Sequence, residues 1–553
     1  MLVLSRTFYI QVVWGKDLRE IAIDQWTREL PITAVRGEIV DASGDLLAGN
    51  KTSYAVYVRP RCVTDEALVA KTLSNLFEVD ENKLLNKIKS QNLSEITVVR
   101  QIDKSKAIEL EKYHLDGVYY SVDNTRVYPY SDMLSQTLGY TSIDGTGICG
   151  LEAYYDKYLK GTDGEILYES DLVGKDVENS TPHYTQATNG LSVKLSIDAK
   201  IQLICESALD KVVNRYSPKS CSVLVLNPQN GRVLAMATKP SLDLNNLPRD
   251  DIETLNKLTR NTLVADSYEP GSTFKIVTAL ANIEEHLNGN SNAFSLNYVF
   301  NSSNYRMVDG RKIKCWTTHA NGKHSNETLQ EALNNSCNPC FVDIALSLGK
   351  NTFYKYVNRL NFGSVTGIDF NGEAIGMVLY ENSVTNGDLA RISFGQTIAV
   401  TPIQLAAAAC ACVNGGKYYS PQLATEIFDK ELGIAEVIEP KLISEVASQE
   451  ASKILASYLE NVVSQGSGKN AYIEGYKVGG KTGTAQKYEN GIIAQGKYVM
   501  SFIGFFPSSS PEYLALAIVD EPVGGTYGST VAAPIVKEVF EGIIKHKNIK
   551  PFN

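Results

Sequence analysis

Glu269-Pro270-Gly271-Ser272-Thr273-Phe274-Lys275 opens the run on which the fold turns. After Lys275 come Ile276, Val277, Ala279, Leu280, Ala281 and Ile283, too uniformly apolar for a surface helix. The pattern predicts a buried central helix entered through a Pro-Gly turn. Ser272 and Lys275, three apart, share one face of its first turn. A buried ammonium is costly unless it is paired or its pKa falls through desolvation. A lysine so tuned can take the proton of a nearby serine hydroxyl, which that serine must lose to attack a carbonyl. The helix N-terminus adds a backbone N–H and a partial positive charge where an oxyanion would form. The bland alternative is a serine N-cap beside a solvated lysine. Ser-x-x-Lys is a cheap pattern, expected about once or twice by chance in a chain of this length. Ser347-Leu348-Gly349-Lys350 is a second copy, with a glycine inside it.

Two further pieces carry chemistry. Ser336-Cys337-Asn338 follows a helical Leu329 to Leu333 and precedes Pro339, so it falls in a break between helices. Its hydroxyl and amide, two apart, can point the same way to relay a proton or hold a substrate amide. Lys481-Thr482-Gly483-Thr484 ends a strand-like Tyr476 to Gly480. A strand-borne lysine and threonine suit an anionic carboxylate, and Gly483 permits close backbone approach to a peptide-like ligand. A solvated strand end is the plain alternative. Alternating strands follow at Val499 to Phe506 and Tyr513 to Val519, as at the edge of an antiparallel sheet.

Upstream of the Ser272 helix, Leu191 to Asp198 alternates as a strand and Ile201 to Val213 has helical spacing. Ser222 to Leu226 and Val233 to Ala237 are strands joined by the turn-rich Asn227-Pro228-Gln229-Asn230-Gly231. Strand, helix, antiparallel strands and buried helix make an α/β layer arrangement. A boundary near Asn189-Gly190 divides the chain into 1–190 and 191–546. From Trp26 to about Thr188 the pattern is strand-rich. Ala34 to Ala48 forms a hairpin about Ser43-Gly44-Asp45, and Tyr54 to Val58 forms another strand. Helical spacing runs between Asp65 and Leu115, and no metal or nucleotide constellation appears. This front part reads as a scaffold or interaction module.

With 553 residues, 43% of them hydrophobic, the chain can bury large cores in at least two domains. A net charge of −9 argues against a nucleic-acid partner. The nine cysteines form no disulfide framework, and most read as buried thiols. Met1 to Val13 is apolar with interruptions, too short to span a bilayer and without the small-residue cleavage site of a signal peptide.

The order Ser-x-x-Lys, Ser-x-Asn, Lys-Thr-Gly resembles the penicillin-binding proteins and serine β-lactamases. Arg36-Gly37-Glu38-Ile39-Val40-Asp41, Arg126-Val127-Tyr128-Pro129 and Gly150-Leu151-Glu152 resemble the N-terminal pedestal of class B penicillin-binding proteins. Ala235-Met236-Ala237, Phe394-Gly395-Gln396 and Thr401-Pro402 extend the likeness over nearly the whole chain. Cys315-Trp316 and Ser336-Cys337-Asn338-Pro339 look most like the sporulation-specific members. The resemblance implies a penicillin-binding transpeptidase (serine β-lactamase-like) α/β domain on a strand-rich α+β pedestal. It implies D,D-transpeptidation of peptidoglycan stem peptides, inhibited by β-lactam antibiotics, with no cofactor required for catalysis. Ser272 would be acylated, Lys275 its general base, and Ser336 and Asn338 a second catalytic element. Lys481, Thr482, Gly483 and Thr484 would hold the substrate carboxylate, and the Ser272 and Thr484 N–H groups the oxyanion. The family also implies a glycosyltransferase partner and a place on the extracytoplasmic face of the cell membrane. Residues 6–13 resemble the family segment that abuts its membrane anchor helix, so the chain reads as a form without that anchor. Rival readings stay open. A D,D-carboxypeptidase passes the acyl group to water, a β-lactamase needs a carboxylate-activated water and no pedestal, and a β-lactam sensor needs no turnover.

A cluster beside the second motif is left over. Asp309, Cys315, His319, His324, Cys337 and Cys340 lie close in sequence, and Cys337 is the middle residue of Ser336-Cys337-Asn338. If its neighbours face substrate, its thiol points into the layer behind. Tetrahedral zinc wants four N, S or O donors, and a closed protein set makes a structural site. The expected ligands are Cys315, His324 and Cys337, with Asp309 or Cys340 as the fourth, Cys337 and Cys340 being spaced as on one helical turn. Buried thiols with surface histidines, or a disulfide, are the competitors.

Overall fold

The computed structural model describes residues 6–14, 27–90, 93, 95–169, 183–301, 303–319, 324, 326–489, 492–525 and 527–552. Met1 to Ser5 of the apolar N-terminal stretch, and Trp26, lie outside the described residues. Among those described, no helix is long and apolar enough to cross a membrane.

The front part contains strands β1 (Thr27–Ile32), β2 (Ile39–Val40) and β3 (Leu46–Val58), then helices α1 (Glu66–Phe77) and α2 (Glu81–Ser90). It continues through β4 (Ile96–Ile102), α3 (Lys104–Glu111), β5 (Val118–Val127), β6 (Gly164–Glu169) and β7 (His183–Thr185), and β8 (Ser192–Leu195) opens the second part. The expected hairpin forms, with Ile39 opposite Ala48. Tyr54 to Val58 is not a separate strand but the far end of the 13-residue β3. The stretch expected to be helical also hides β4, whose β-branched Ile96, Thr97 and Val99 pair with β3. Val69, Leu73, Leu84 and Ile88 of the two helices pack on Val56 and Val58 of β3, which gives the front part its own core.

A second interior is ionic. Glu152, fully buried, receives Arg36 Nε at 2.7 Å and Arg126 Nε at 2.6 Å. Arg36 also donates to the Glu152 carbonyl oxygen at 2.8 Å, and Arg126 to the Gly37 carbonyl oxygen at 2.8 Å. The three pedestal motifs thus meet at one carboxylate.

The two parts share a sheet. β8 lies parallel to β2, with Ile39 opposite Val193, and antiparallel to β14 (Ala424–Asp429), with Ile427 opposite Val193. The strand order is β15-β14-β8-β2-β3-β4, β15 being Ile434–Val437, with β5 on the other side of β3. The Asn189-Gly190 segment runs into this junction, where Gly190 N donates to the Val35 carbonyl oxygen at 2.9 Å.

The second half is built on a five-stranded antiparallel sheet, β10-β9-β19-β18-β17. Its strands are β9 (Ser220–Leu226), β10 (Val233–Lys239), β17 (Gly479–Glu489), β18 (Ile492–Phe506) and β19 (Tyr513–Asp520). Alternation splits their side chains between two cores. Val223, Val225, Phe502 and Phe506 face α4 (Ala199–Tyr216) and the C-terminal helix Ala533–Lys547. Leu224, Leu226, Ile503 and Phe505 face α5 (Lys275–Leu287), the predicted central helix, buried through Ile276 to Ile283. β17 is the sheet edge, and the Lys-Thr-Gly run lies inside it, not at the end of a strand begun at Tyr476. A hairpin of β11 (Tyr305–Val308) and β12 (Arg311–Lys314), with α6 (Leu329–Asn335), α7 (Asn338–Arg359) and α8 (Asn386–Ile392), frames the open side of a cleft at this edge.

Candidate active site

Ser272 sits in a single 3-10 turn, Gly271–Phe274, that leads into α5. Pro270 fixes the entry and Gly271 takes φ +56°, a left-handed value that a side chain would strain. Gly271 N donates to the Gly395 carbonyl oxygen at 3.0 Å, which pins the turn to the Phe394-Gly395-Gln396 loop. Ser272 lines a cleft of about 680 Å³, together with Ser336, Asn338, Thr482 and Thr484.

Lys275 is fully buried behind it. Its Nζ donates to the Ser336 carbonyl oxygen at 2.7 Å, Ser336 Oγ at 3.1 Å and Asn338 Oδ1 at 2.7 Å. Burial lowers its pKa to about 8, against a smaller upward pull from the thiols of Cys315, Cys337 and Cys340. Lys481 is equally buried, and its Nζ donates to the same Ser336 Oγ at 3.0 Å. Burial first, and the neighbouring Lys275 second, hold Lys481 well below the ordinary lysine range. Two amines therefore converge on one hydroxyl, whose own proton stays free to be donated elsewhere. Ser336 reaches them because it ends α6 in the left-handed region, φ 55°, strain of the kind concentrated at working sites.

The strand parity of β17 divides the expected carboxylate-binding set. Thr482 and Thr484 line the cleft, and Gly528 N donates to Thr484 Oγ1 at 3.1 Å. Lys481 does not itself line the cleft, but its Nζ donates to two hydroxyls that do, Ser336 Oγ and, at 3.4 Å, Thr482 Oγ1. Gly483 has a reason beyond those the spacing offered. A Cβ there would lie 2.4 Å from Ser501 Oγ and 3.0 Å from Thr273 Cγ2, so only glycine lets the nucleophile turn seat against the strand. The second Ser-x-x-Lys is separate from this group. Ser347 lies within α7 and donates to the Asn292 carbonyl oxygen at 2.6 Å.

The cysteine cluster forms, with a changed membership. The ligand atoms of Cys315, His319, His324 and Cys337 all lie within 4.8 Å of one another. Cys315 Sγ is 3.9 Å from His324 Nδ1, and Cys337 Sγ is 3.7 Å from His319 Nε2. Asp309 is not part of it. Its Oδ2 accepts the Gly387 N–H at 2.7 Å and ties the β11–β12 turn to α8. Cys340 belongs to a second group, with Cys337 and Glu327, whose ligand atoms also lie within 4.8 Å of one another, and Glu327 Oε2 accepts from the Cys340 thiol at 3.8 Å. Cys337, the N-cap of α7, is shared by both groups, and the spacing of three does bring its thiol close to that of Cys340. All nine cysteines are free thiols.

Sequence reasoning missed the rest of the cleft wall. Trp316 and Tyr527 face each other across it with ring centroids 6.4 Å apart, and Lys312, Lys314 and Arg391 line its hairpin side. The alternation Lys312-Ile313-Lys314 was the available signal for the two lysines.

Residues 221–541 match the penicillin binding protein transpeptidase domain, and residues 31–195 the penicillin-binding protein dimerisation domain. Stage V sporulation protein D of Bacillus subtilis is 38% identical over 556 residues, spanning 100% of this chain and 84% of that protein. The chain belongs to the class B penicillin-binding proteins. Peptidoglycan D,D-transpeptidase FtsI of Escherichia coli K12 is 27% identical to this penicillin-binding protein over 566 residues, 99% of this chain and 90% of that one. Among solved structures, penicillin binding protein 2X of Streptococcus thermophilus has the same fold. Its TM-score is 0.75 at 24% identity, over 94% of this chain and 80% of that one. A peptidoglycan synthetase of Bifidobacterium adolescentis gives 0.76 at 22% identity, over 95% and 98%.

Proposed function

We propose that this penicillin-binding protein cross-links peptidoglycan stem peptides by D,D-transpeptidation through an acyl-enzyme on Ser272. The observation that carries the reading is the convergence of Lys275, Lys481 and Asn338 around Ser336 behind a cleft-facing serine. Ser272 Oγ attacks the carbonyl carbon of the penultimate D-alanine while its proton passes to the neutral amine of Lys275. The N–H groups of Ser272 and Thr484 hold the oxyanion, and Thr482 and Thr484 hold the terminal carboxylate. The C–N bond breaks, and the departing D-alanine amine takes a proton through Ser336, which the lysines resupply. An amine of a second stem peptide then attacks the acyl carbon, loses its proton to the same relay, and frees Ser272. A β-lactam enters the same first step, but its leaving nitrogen stays tethered and the acyl-enzyme persists. Mass spectrometry after incubation with penicillin is expected to place the adduct on the peptide containing Ser272. An adduct on Ser347 or elsewhere would sink the assignment.

The nature of the substrate supports a location on the extracytoplasmic face of the cell membrane, beside a glycosyltransferase that supplies the strands. Likeness to a stage V sporulation protein supports a role in spore wall formation.

A structural zinc ion belongs to the same reading. Zinc–sulfur bonds of about 2.3 Å and zinc–nitrogen bonds of about 2.0 Å separate neighbouring tetrahedral ligands by about 3.5 Å, which suits the spacing of Cys315, His319, His324 and Cys337. The ion would brace the Cys337 loop that carries Ser336 and Asn338, with all four positions closed to substrate. Protein purified under reducing conditions is expected to hold about one zinc, and its removal to lower the melting temperature. Less than about a tenth of an equivalent would rule the site out.

A further inference from the structure

We propose that the hairpin side of the cleft is an anion-binding arm. Lys312 and Lys314, with Arg391, would select stem peptides that carry a second carboxylate upstream of the reacting D-alanine. This rests on the transpeptidase reading above. Three cationic residues line the cleft and no aspartate or glutamate does, among the described residues, in a chain of net charge −9. A cleft lined by one sign of charge concentrates ligands of the other.

The hairpin is built to present these groups. Ile313 turns inward to a small core with Val308, Val342, Ala390 and Phe394. Strand alternation then puts Lys312 and Lys314 together on the opposite face, both exposed. A two-pronged ion pair, Arg306 Nε to Asp343 Oδ1 and Nη2 to Oδ2, both 2.7 Å, fixes β11 to α7, and Asp309 fixes the turn to α8. Lys312 Nζ lies 4.9 Å from the centre of the Tyr305 ring. Neither lysine forms an ion pair among the described residues. Arg391 is partly engaged, donating to the Gly387 carbonyl oxygen at 3.1 Å and standing 4.0 Å from Asp388, so the two lysines carry most of the free charge.

Position selects the ligand. Asn338 Nδ2 donates to the Lys314 carbonyl oxygen at 3.3 Å, while its Oδ1 holds Lys275. The arm therefore starts beside the reacting groups and runs outward, Lys312 lying about 7 Å beyond Lys314 at the usual strand rise. An extended peptide advances about as far in two residues. The terminal carboxylate belongs to Thr482 and Thr484 on the opposite wall, so the arm meets a different one, carried one or two residues before the reacting D-alanine.

The test uses two synthetic D-alanyl thioester donors that differ only in an upstream side chain, a carboxylate in one and its carboxamide in the other. The parent protein is expected to favour the carboxylate donor by about three- to tenfold in kcat/KM, with the difference in KM and shrinking as salt is added. Lys312→Met with Lys314→Met keeps the apolar stems and should close the gap, and Lys312→Glu with Lys314→Glu should reverse it. No preference in the parent, a preference that survives the methionine pair, or an equal loss for both donors would overturn the proposal. A parent that neither donor nor penicillin acylates would overturn the transpeptidase reading instead, and this one with it.

Discussion

Replacing Lys275 by alanine is expected to slow acylation by penicillin about a thousandfold or more, while the protein still unfolds cooperatively. The change removes the amine that takes the Ser272 proton and the donor that holds Ser336 and Asn338 in place. Lys481 stays on Ser336 Oγ, so a slow residual rate through that hydroxyl is expected. The same lysine fixes the pH dependence. Only the neutral amine accepts a proton, and burial lowers the pKa to about 8, so the neutral fraction grows as pH rises toward that value. The acylation rate constant should therefore climb about tenfold per pH unit below 8 and level off above it. Stopped-flow acylation with a chromogenic cephalosporin across pH 6 to 10 checks both points. A parent-like rate in the alanine variant, or a flat profile between pH 6 and 8, would refute the general-base role.

The largest effect on stability is expected from Glu152→Ala. Glu152 is wholly buried and faces two guanidinium groups, themselves nearly buried, each within hydrogen-bond distance of its own carboxylate oxygen. Removing one member of a buried ion group leaves the others charged and without solvent, a loss of about 3–5 kcal/mol for a simple pair. Here two arginines are left, and only Arg36 retains a second carboxylate, Asp156 at 2.6 Å. Arg126 keeps only neutral partners, the Gly37 carbonyl and the Asn50 amide. Denaturant unfolding of the full chain measures the loss. A change below about 1 kcal/mol would show that water reaches the site and that the network is not closed.

The catalytic groups were legible because their chemistry constrains residue type and order, and because the helix after Ser272 is too apolar to lie anywhere but inside. The features that stayed hidden depended on pairings distant in sequence. The parity of β17 is written in the sequence, but which face meets the cleft is decided by Thr273 and Pro270 packing on Gly483. Lys481, read as a carboxylate ligand, is found buried with its amine on Ser336 Oγ and Thr482 Oγ1, contacts the sequence does not show. The fourth member of the cysteine cluster turned on the path of the chain between Cys315 and Cys337, about which ligand spacing says nothing. His319 is brought in, and Asp309 is spent on the hairpin turn. Strand β4 escaped because helical spacing on both sides of it dominates any window wide enough to detect a period.

The strand β8 gives the molecule an unusual anatomy for a chain of two parts. One of its edges belongs to the front half and the other to the back, so each half completes the other's sheet. A back half cut free at residue 190 would carry β8 with a bare row of N–H and C=O groups where β2 had been. Such a row is an adhesive edge, open to any extended segment of another molecule. The pedestal therefore also covers an edge that the catalytic half would otherwise expose, and a front half borrowed from a relative would serve only if its own β2 arrived in the same register.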